Sequence, residues 1–342
     1  MIKPMRATAI GAAALVFLSA GAALADTDFY KGKQIRLISS TEPGLVYDVY
    51  SRLLARHMAR YIPGNPTIIV QNMPGAGGIK ATNFAYTVAP RDGTVIVGPH
   101  SGIPTAPLTM PNAAQFDVNK ISWIGSITKD PLVGYVWHTS PVQSLEEAKT
   151  KEVIMGGTGA GTASVDAARL ATAILGLKIK LVPGYKSAGE VRLAMERGEI
   201  HGSFGHAWHG LKTTNEDWIQ EKKVRLIVQH SIHAHPELPD VPLLIDLAKT
   251  EADRQAVIFM LAVRQEAGKP YLAPPDVPED RLAILRRAFD ATMKDPQFLK
   301  DAKGATLPVE EPLRGDELAA LVLRVAATPS SVVERVMNML KN

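Results

Sequence analysis

Along most of this chain, short apolar runs alternate with longer stretches in which apolar positions recur every three or four residues. The first pattern belongs to strands buried in a sheet and the second to amphipathic helices, so the alternation predicts an α/β protein. Strands are predicted at 34–39, 67–71, 94–98, 121–126, 133–138, 153–155, 179–182, 224–229 and 257–263. Helices are predicted between them. Asp48 is placed to cap one that runs to about Arg60, and Ser144 with Glu147 and Ser187 with Glu190 have the spacing of capping boxes. A further helix is predicted at 165–175. Beyond Pro278 the chain reads as helix alone, broken at Pro296, near Pro308 and Pro312, and at Pro329. There is no internal repeat and no low-complexity linker. Two domains without a linker imply that the chain crosses between them more than once, as in a clamshell.

The N-terminus departs from this alternation. Lys3 and Arg6 precede an apolar stretch, 7–20, that closes with Ala23-Leu24-Ala25, the make-up of a secretory signal peptide cleaved after Ala25. No later segment is long enough and free enough of charge to span a bilayer. The 342 residues suffice for about two domains. Removing the leader leaves 36 Lys+Arg against 34 Asp+Glu. A near-neutral exported chain without a run of cations is a poor nucleic-acid binder. Zero cysteines exclude disulfides, thiolate metal sites and a cysteine nucleophile.

The strongest local signal is Met155-Gly156-Gly157-Thr158-Gly159-Ala160-Gly161-Thr162-Ala163-Ser164, between a predicted strand and a predicted helix. A dinucleotide fold would need Gly-x-Gly-x-x-Gly and an acidic residue about 20 positions on, whereas here the spacing is Gly-x-Gly-x-Gly and the next strand carries Lys178 and Lys180. No Gly-Lys-Ser/Thr follows, so a Walker loop is excluded too. The residues that remain describe a cradle for a carboxylate or phosphate: backbone N–H groups of Gly159, Ala160 and Gly161 with the hydroxyls of Thr158, Thr162 and Ser164. A tight turn without a ligand is the competing reading. A second strand-to-helix turn spans 39–48. In open α/β sheets ligands bind beyond the carboxyl ends of strands, so two such turns from two domains are expected to face each other across a cleft. Asp48 reads as an N-cap before a ligand contact, and Tyr47, a hydroxyl on a flat apolar body, as the better contact.

Histidines gather at His201, His206 and His209 and again at His230, His233 and His235, which raises a metal-binding receptor as one alternative, beside a non-transport sensor or scaffold that signals through a partner. Gly202, Gly205 and Gly210 interrupt the first group, the second lies before Pro236, and neither has a usual zinc spacing. With no Gly-x-Ser-x-Gly elbow and no His-Glu-x-x-His helix, no catalytic residue, metal or cofactor is assigned.

Three stretches carry a family resemblance. They are Ile35-Arg36-Leu37-Ile38 running through Pro43-Gly44 to Asp48-Val49-Tyr50-Ser51-Arg52, then Asn72-Met73-Pro74-Gly75-Ala76-Gly77-Gly78 followed by Ala89-Pro90-Arg91-Asp92-Gly93-Thr94, and finally the 158–164 loop with Pro183-Gly184-Tyr185-Lys186 and Leu238-Pro239-Asp240-Val241-Pro242. In this order and spacing they resemble the extracytoplasmic solute receptors of tripartite tricarboxylate transporters, the Bug receptors. The resemblance implies a two-domain periplasmic binding protein, a type II-like clamshell, with domain one at 26–129 plus 233–342 and domain two at 130–232. It implies a small organic carboxylate enclosed between the domains, and the membrane subunits of a tripartite transporter as partners. By position, the ligand would be held by Thr41, Gly44, Leu45, Val46, Tyr47 and Asp48, by the 158–164 loop, and by a further wall containing His100 and Ser101. The family has a run of glycines and then Thr-Asp where this chain has Gly44-Leu45-Val46-Tyr47-Asp48. Leu45 and Val46 do not readily adopt positive φ. With His206 and Trp208 adding aromatic bulk, the expected ligand is an aromatic or medium-chain carboxylate in preference to citrate or malate.

Overall fold

A computed structural model describes residues 28–129, 131–159 and 161–341; the predicted leader and Ala160 lie outside them. The chain first runs through β1 (Gln34–Ser39), α1 (Val46–Met58), β2 (Thr67–Asn72), α2 (Ile79–Thr87), β3 (Val95–Gly98), the short α3 (Ala106–Thr109) and β4 (Ser122–Ser126). It crosses into β5 (Leu132–Trp137), α4 (Leu145–Thr150), β6 (Val153–Gly157), α5 (Ala163–Leu175), β7 (Ile179–Pro183), α6 (Ala188–Glu196), β8 (Gly202–Ala207), α7 (Trp208–Thr214), α8 (Glu216–Gln220) and β9 (Val224–His230). It then passes α9 (Leu244–Leu247) and α10 (Glu251–Glu266) and continues as β10 (Pro270–Ala273), α11 (Glu279–Met293), α12 (Pro296–Gly304), β11 (Leu313–Arg314), α13 (Gly315–Ala326) and α14 (Ser330–Lys341).

These strands form two sheets, ordered β11-β4-β10-β3-β1-β2 and β7-β6-β8-β5-β9. In the first, β1 pairs in parallel with β2 and β3, while β10 enters antiparallel between β3 and β4. In the second, β6 is parallel to β7 and β8, and β5 is antiparallel to β8 and β9. Burial explains the sequence pattern. Val95, Ile96 and Val97 of β3 are covered on both faces and form a continuous apolar run. β2, at an edge, alternates exposed and half-buried positions with the two-residue period of a strand.

The capping boxes form as the spacing predicts. Ser144 Oγ accepts from Glu147 N–H while Glu147 Oε2 accepts from Gln143 N–H, and Ser187 and Glu190 repeat the arrangement with Lys186 N–H. Two expectations need correction. α1 starts before Asp48, with Leu45 at the N-cap, so Asp48 sits inside the first turn. The stretch 257–263, expected as a strand, is the middle of α10; nearly all of 256–262 is buried, and an apolar run covered on all sides hides the helical period. The strands β8, β10 and β11 are not predicted by the sequence pattern.

One apolar core runs from the first sheet (Ile38, Val97, Trp123) through α10 (Val257, Met260) to Leu170 of α5, Phe204 of β8 and Val336 of α14. A second lies on the other side of the first sheet around Leu37, Leu54 and Phe289, and a third holds Tyr135, Met195, Trp208 and Trp218. Among the described residues no helix is long and apolar enough to cross a membrane.

Candidate functional site

The turn after β1 is braced by Asp48. Its Oδ2 accepts from Gly44 N–H (2.8 Å) and Arg52 Nε (2.8 Å), and its Oδ1 from Asn72 Nδ2 (2.7 Å), which also donates to Thr41 O (2.8 Å). Burial by itself would raise the carboxyl's pKa, but the bonds from Arg52, Gly44 and Asn72 outweigh it and hold the group below its usual range. Gly44, at φ +80°, makes the left-handed bend, so Leu45 (φ −76°) and Val46 adopt ordinary backbone conformations and no strain falls on them. Their side chains are 40% and 49% exposed, so they are surface positions of this turn and not core. Thr41 is buried, with its Oγ1 3.3 Å from Ser39 Oγ.

Tyr47 joins this turn to the loop after β3. Its hydroxyl donates to Gly268 O (3.1 Å) and accepts from Ser101 N–H (3.3 Å), and its ring stacks on His100 with centroids 4.6 Å apart. Lys269 Nζ lies 5.0 Å from the Tyr47 ring. Burial first, then the charges of Lys269 and Arg264, lower the His100 pKa to about 4, so this imidazole is neutral near pH 7.

At the second turn, Thr162 is the N-cap of α5 and Gly161 takes φ +77°. The hydroxyls of Thr158, Thr162 and Ser164 lie 3.0–3.2 Å from one another. The N–H groups of Thr158, Gly159 and Thr162 are bonded within the turn, to Ser164 Oγ, Thr162 Oγ1 and Gly159 O. Of the expected amide donors, that of Gly159 is thus spent inside the loop, and the polar face of this turn includes a cluster of three hydroxyls. Close packing from β8 fixes the helix start, because a Cβ at Gly205 (φ +63°) would stand 2.2 Å from Ala163 O.

Between the loop after β3 and the start of α5 stands a residue that the sequence pattern does not single out. Arg264, buried on α10, donates from Nη2 to Asp166 Oδ2 (2.7 Å) in the first turn of α5 and lies 3.4 Å from Gly161 O. A Cβ on Gly102, in the loop after β3, would be 3.4 Å from the same Nη2. Arg264 Nε is buried and has no hydrogen-bond partner among the described residues. The signal was present: a lone arginine closes an otherwise apolar run at 256–263. Of two other expected residues, His206 follows Gly205 beside the start of α5, and Trp208 is turned into a core. His206, half-buried on β8, sits edge-on to Tyr135 with centroids 5.6 Å apart. Trp208 is buried in the core of the second sheet, donating from Nε1 to Glu237 Oε2 (2.7 Å).

Residues 51–312 match the sequence model described as "Tripartite tricarboxylate transporter family receptor". Over 292 residues the chain is 26% identical to the "UPF0065 protein in the TAR-I ttuE-ttuC' intergenic region" of Agrobacterium vitis, covering 83% of this chain and 78% of that protein. Two Rhodopseudomonas palustris structures share the fold. Rpa4515 with adipate has a TM-score of 0.65 at 15% identity, over 90% of this chain and 97% of that one. MatC (Rpa3494) with bound malate has a TM-score of 0.62 at 19% identity, over 90% and 99%.

Proposed function

Because the chain belongs to the tripartite tricarboxylate transporter family of receptors, we propose that it is exported to the periplasm and captures a small organic carboxylate for the membrane subunits of such a transporter. In this reading the leader is removed after Ala25 and the mature chain works by binding and release, without covalent chemistry. The two lobes are 26–129 with 233–342, and 130–232, and they close on the ligand by a hinge motion.

The observation that carries this reading is Arg264. One buried guanidinium stands beside the loop after β3 and the start of α5, with Asp166 as its acidic partner and Nε unbonded. Together with the Ser164 hydroxyl it supplies donors for a carboxylate, while the Thr162 and Thr158 hydroxyls, which donate to Gly159 O (2.6 Å) and Thr162 Oγ1 (3.0 Å), would have to turn to join them; each hydrogen bond to a charged group contributes about 1.5–3 kcal/mol. The ligand's body is expected to be apolar, since exposed Leu45 and Val46 flank Tyr47 and provide no donors for a second carboxylate. The two R. palustris neighbours mark the alternatives: the long methylene chain of adipate in one, the short hydroxylated malate in the other. A thermal-shift panel tests the proposal. Aromatic or medium-chain carboxylates should raise the melting temperature more than citrate or malate, and a panel in which no carboxylate stabilises the protein would refute a carboxylate receptor.

A further inference from the structure

The two histidine groups, which lack zinc spacing in the sequence, are joined by the fold at a third residue. His209 on α7, His235 after β9 and Glu310 before β11 each place one ligand atom within 4.8 Å of the others. His209 Nε2 is 2.7 Å from Glu310 Oε2, and the two imidazole rings meet edge to face with centroids 5.5 Å apart. We propose that these three side chains bind a divalent transition-metal cation of the zinc class, at a site separate from the one assigned to the carboxylate.

The donor set is right for that class. Two imidazoles and a carboxylate are ligands that zinc takes in a tetrahedral site with the fourth position open to water. Metal–ligand distances of about 2.0–2.2 Å put neighbouring ligand atoms about 3.3–3.5 Å apart. The ion would therefore open the His209–Glu310 contact slightly and draw the wider pair inward. Each ligand is held by a different part of the chain. The backbone N–H of His235 donates to Gln229 Oε1 (3.0 Å); its Nδ1 accepts from Glu237 N–H (3.2 Å), so ligation through Nε2 requires the ring proton to move to Nδ1, where Glu237 Oε2, 4.0 Å away, is the acceptor for it. The backbone of Glu310 is tied to Thr128 and Lys129 by bonds of 3.2 and 2.9 Å. Side-chain exposure is 5% for His209, 16% for His235 and 48% for Glu310, so the imidazoles form the floor and the carboxylate the mouth. Nearby charges are already matched: Glu237, 4.0 Å from His235 Nδ1, is paired with Lys212, and Lys129 with Glu266 and Glu311.

Position gives the site its consequence. His209 follows β8 of the second sheet, whereas Glu310 precedes β11 of the first, and Thr128, which holds Glu310, lies just before the chain crosses from β4 to β5. A bound cation would tie one sheet's unit to the other beside that crossing.

The test is titration of Zn²⁺ into the leaderless chain, freed of any affinity tag, by calorimetry and thermal shift. Wild type is compared with Glu310→Gln and His235→Gln. The expected result is saturable binding of one ion, weakened at least about tenfold in each variant. Zn²⁺ should raise the wild-type melting temperature and leave that of Glu310→Gln unmoved, while the two proteins melt alike in chelator. No saturable binding by wild type, or affinity unchanged in both variants, would overturn the site.

Discussion

His100 and His230 are the residues at which burial most directly sets behaviour in solution. Burial lowers the His230 pKa to about 3 and, aided by two cations, that of His100 to about 4, against about 6.5 for a histidine in an unfolded chain. Neither ring nitrogen of His230 has a hydrogen-bond partner among the described residues. A depressed folded-state pKa means that the unfolded chain binds the proton first, so the stability from keeping each ring neutral is complete above pH 6.5. It is lost as pH falls from there towards 4 for His100 and 3 for His230, each adding up to about 1.4 kcal/mol per pH unit. Urea unfolding at pH 7.5, 5.5 and 4.5 should show this decline, and His230→Leu should make it shallower. Parallel profiles for the two proteins would contradict the assignment. Arg264 shows the limit of reading single residues. Its position in an apolar run is visible, but that run predicts a strand, and only as the helix α10 does it carry the guanidinium to Asp166.

Among elements, those with local signatures were legible. Ser144 and Ser187 announce α4 and α6 because capping is settled within four residues of chain. β8 was not legible because its glycines look like turn residues. They are there for packing: a Cβ at Gly202 would stand 2.2 Å from Tyr135 O, and one at Gly205 equally close to Ala163 O. Gly205→Ala therefore combines an unfavourable φ with a clash against the start of α5. It is expected to cost at least about 1–3 kcal/mol, read as a lower urea midpoint. Gly210→Ala, whose Cβ would meet Ala207 Cβ at 3.7 Å on a regular helix, is the control and should be neutral or slightly stabilising.

For the whole molecule, the α/β class and the glycine-rich turn at 158–164 could be read locally, whereas the grouping of His209, His235 and Glu310 depends on segments brought together by the chain crossings. Sheet order was equally hidden. β10, encoded by residues 270–273, lies between β3 and β4, so the first sheet is split until that strand arrives. A chain ending at Glu266 should accordingly lack a cooperative thermal transition in far-UV circular dichroism; a sharp transition like that of the full chain would show that β3 and β4 close without β10. The same strand order bears on timing. Domains generally fold from the N-terminus as the chain emerges. With its linking strand encoded at 270–273, the first sheet stays in two pieces until most of the chain has been synthesised, so the N-terminal strands wait for a late segment instead of folding as they emerge.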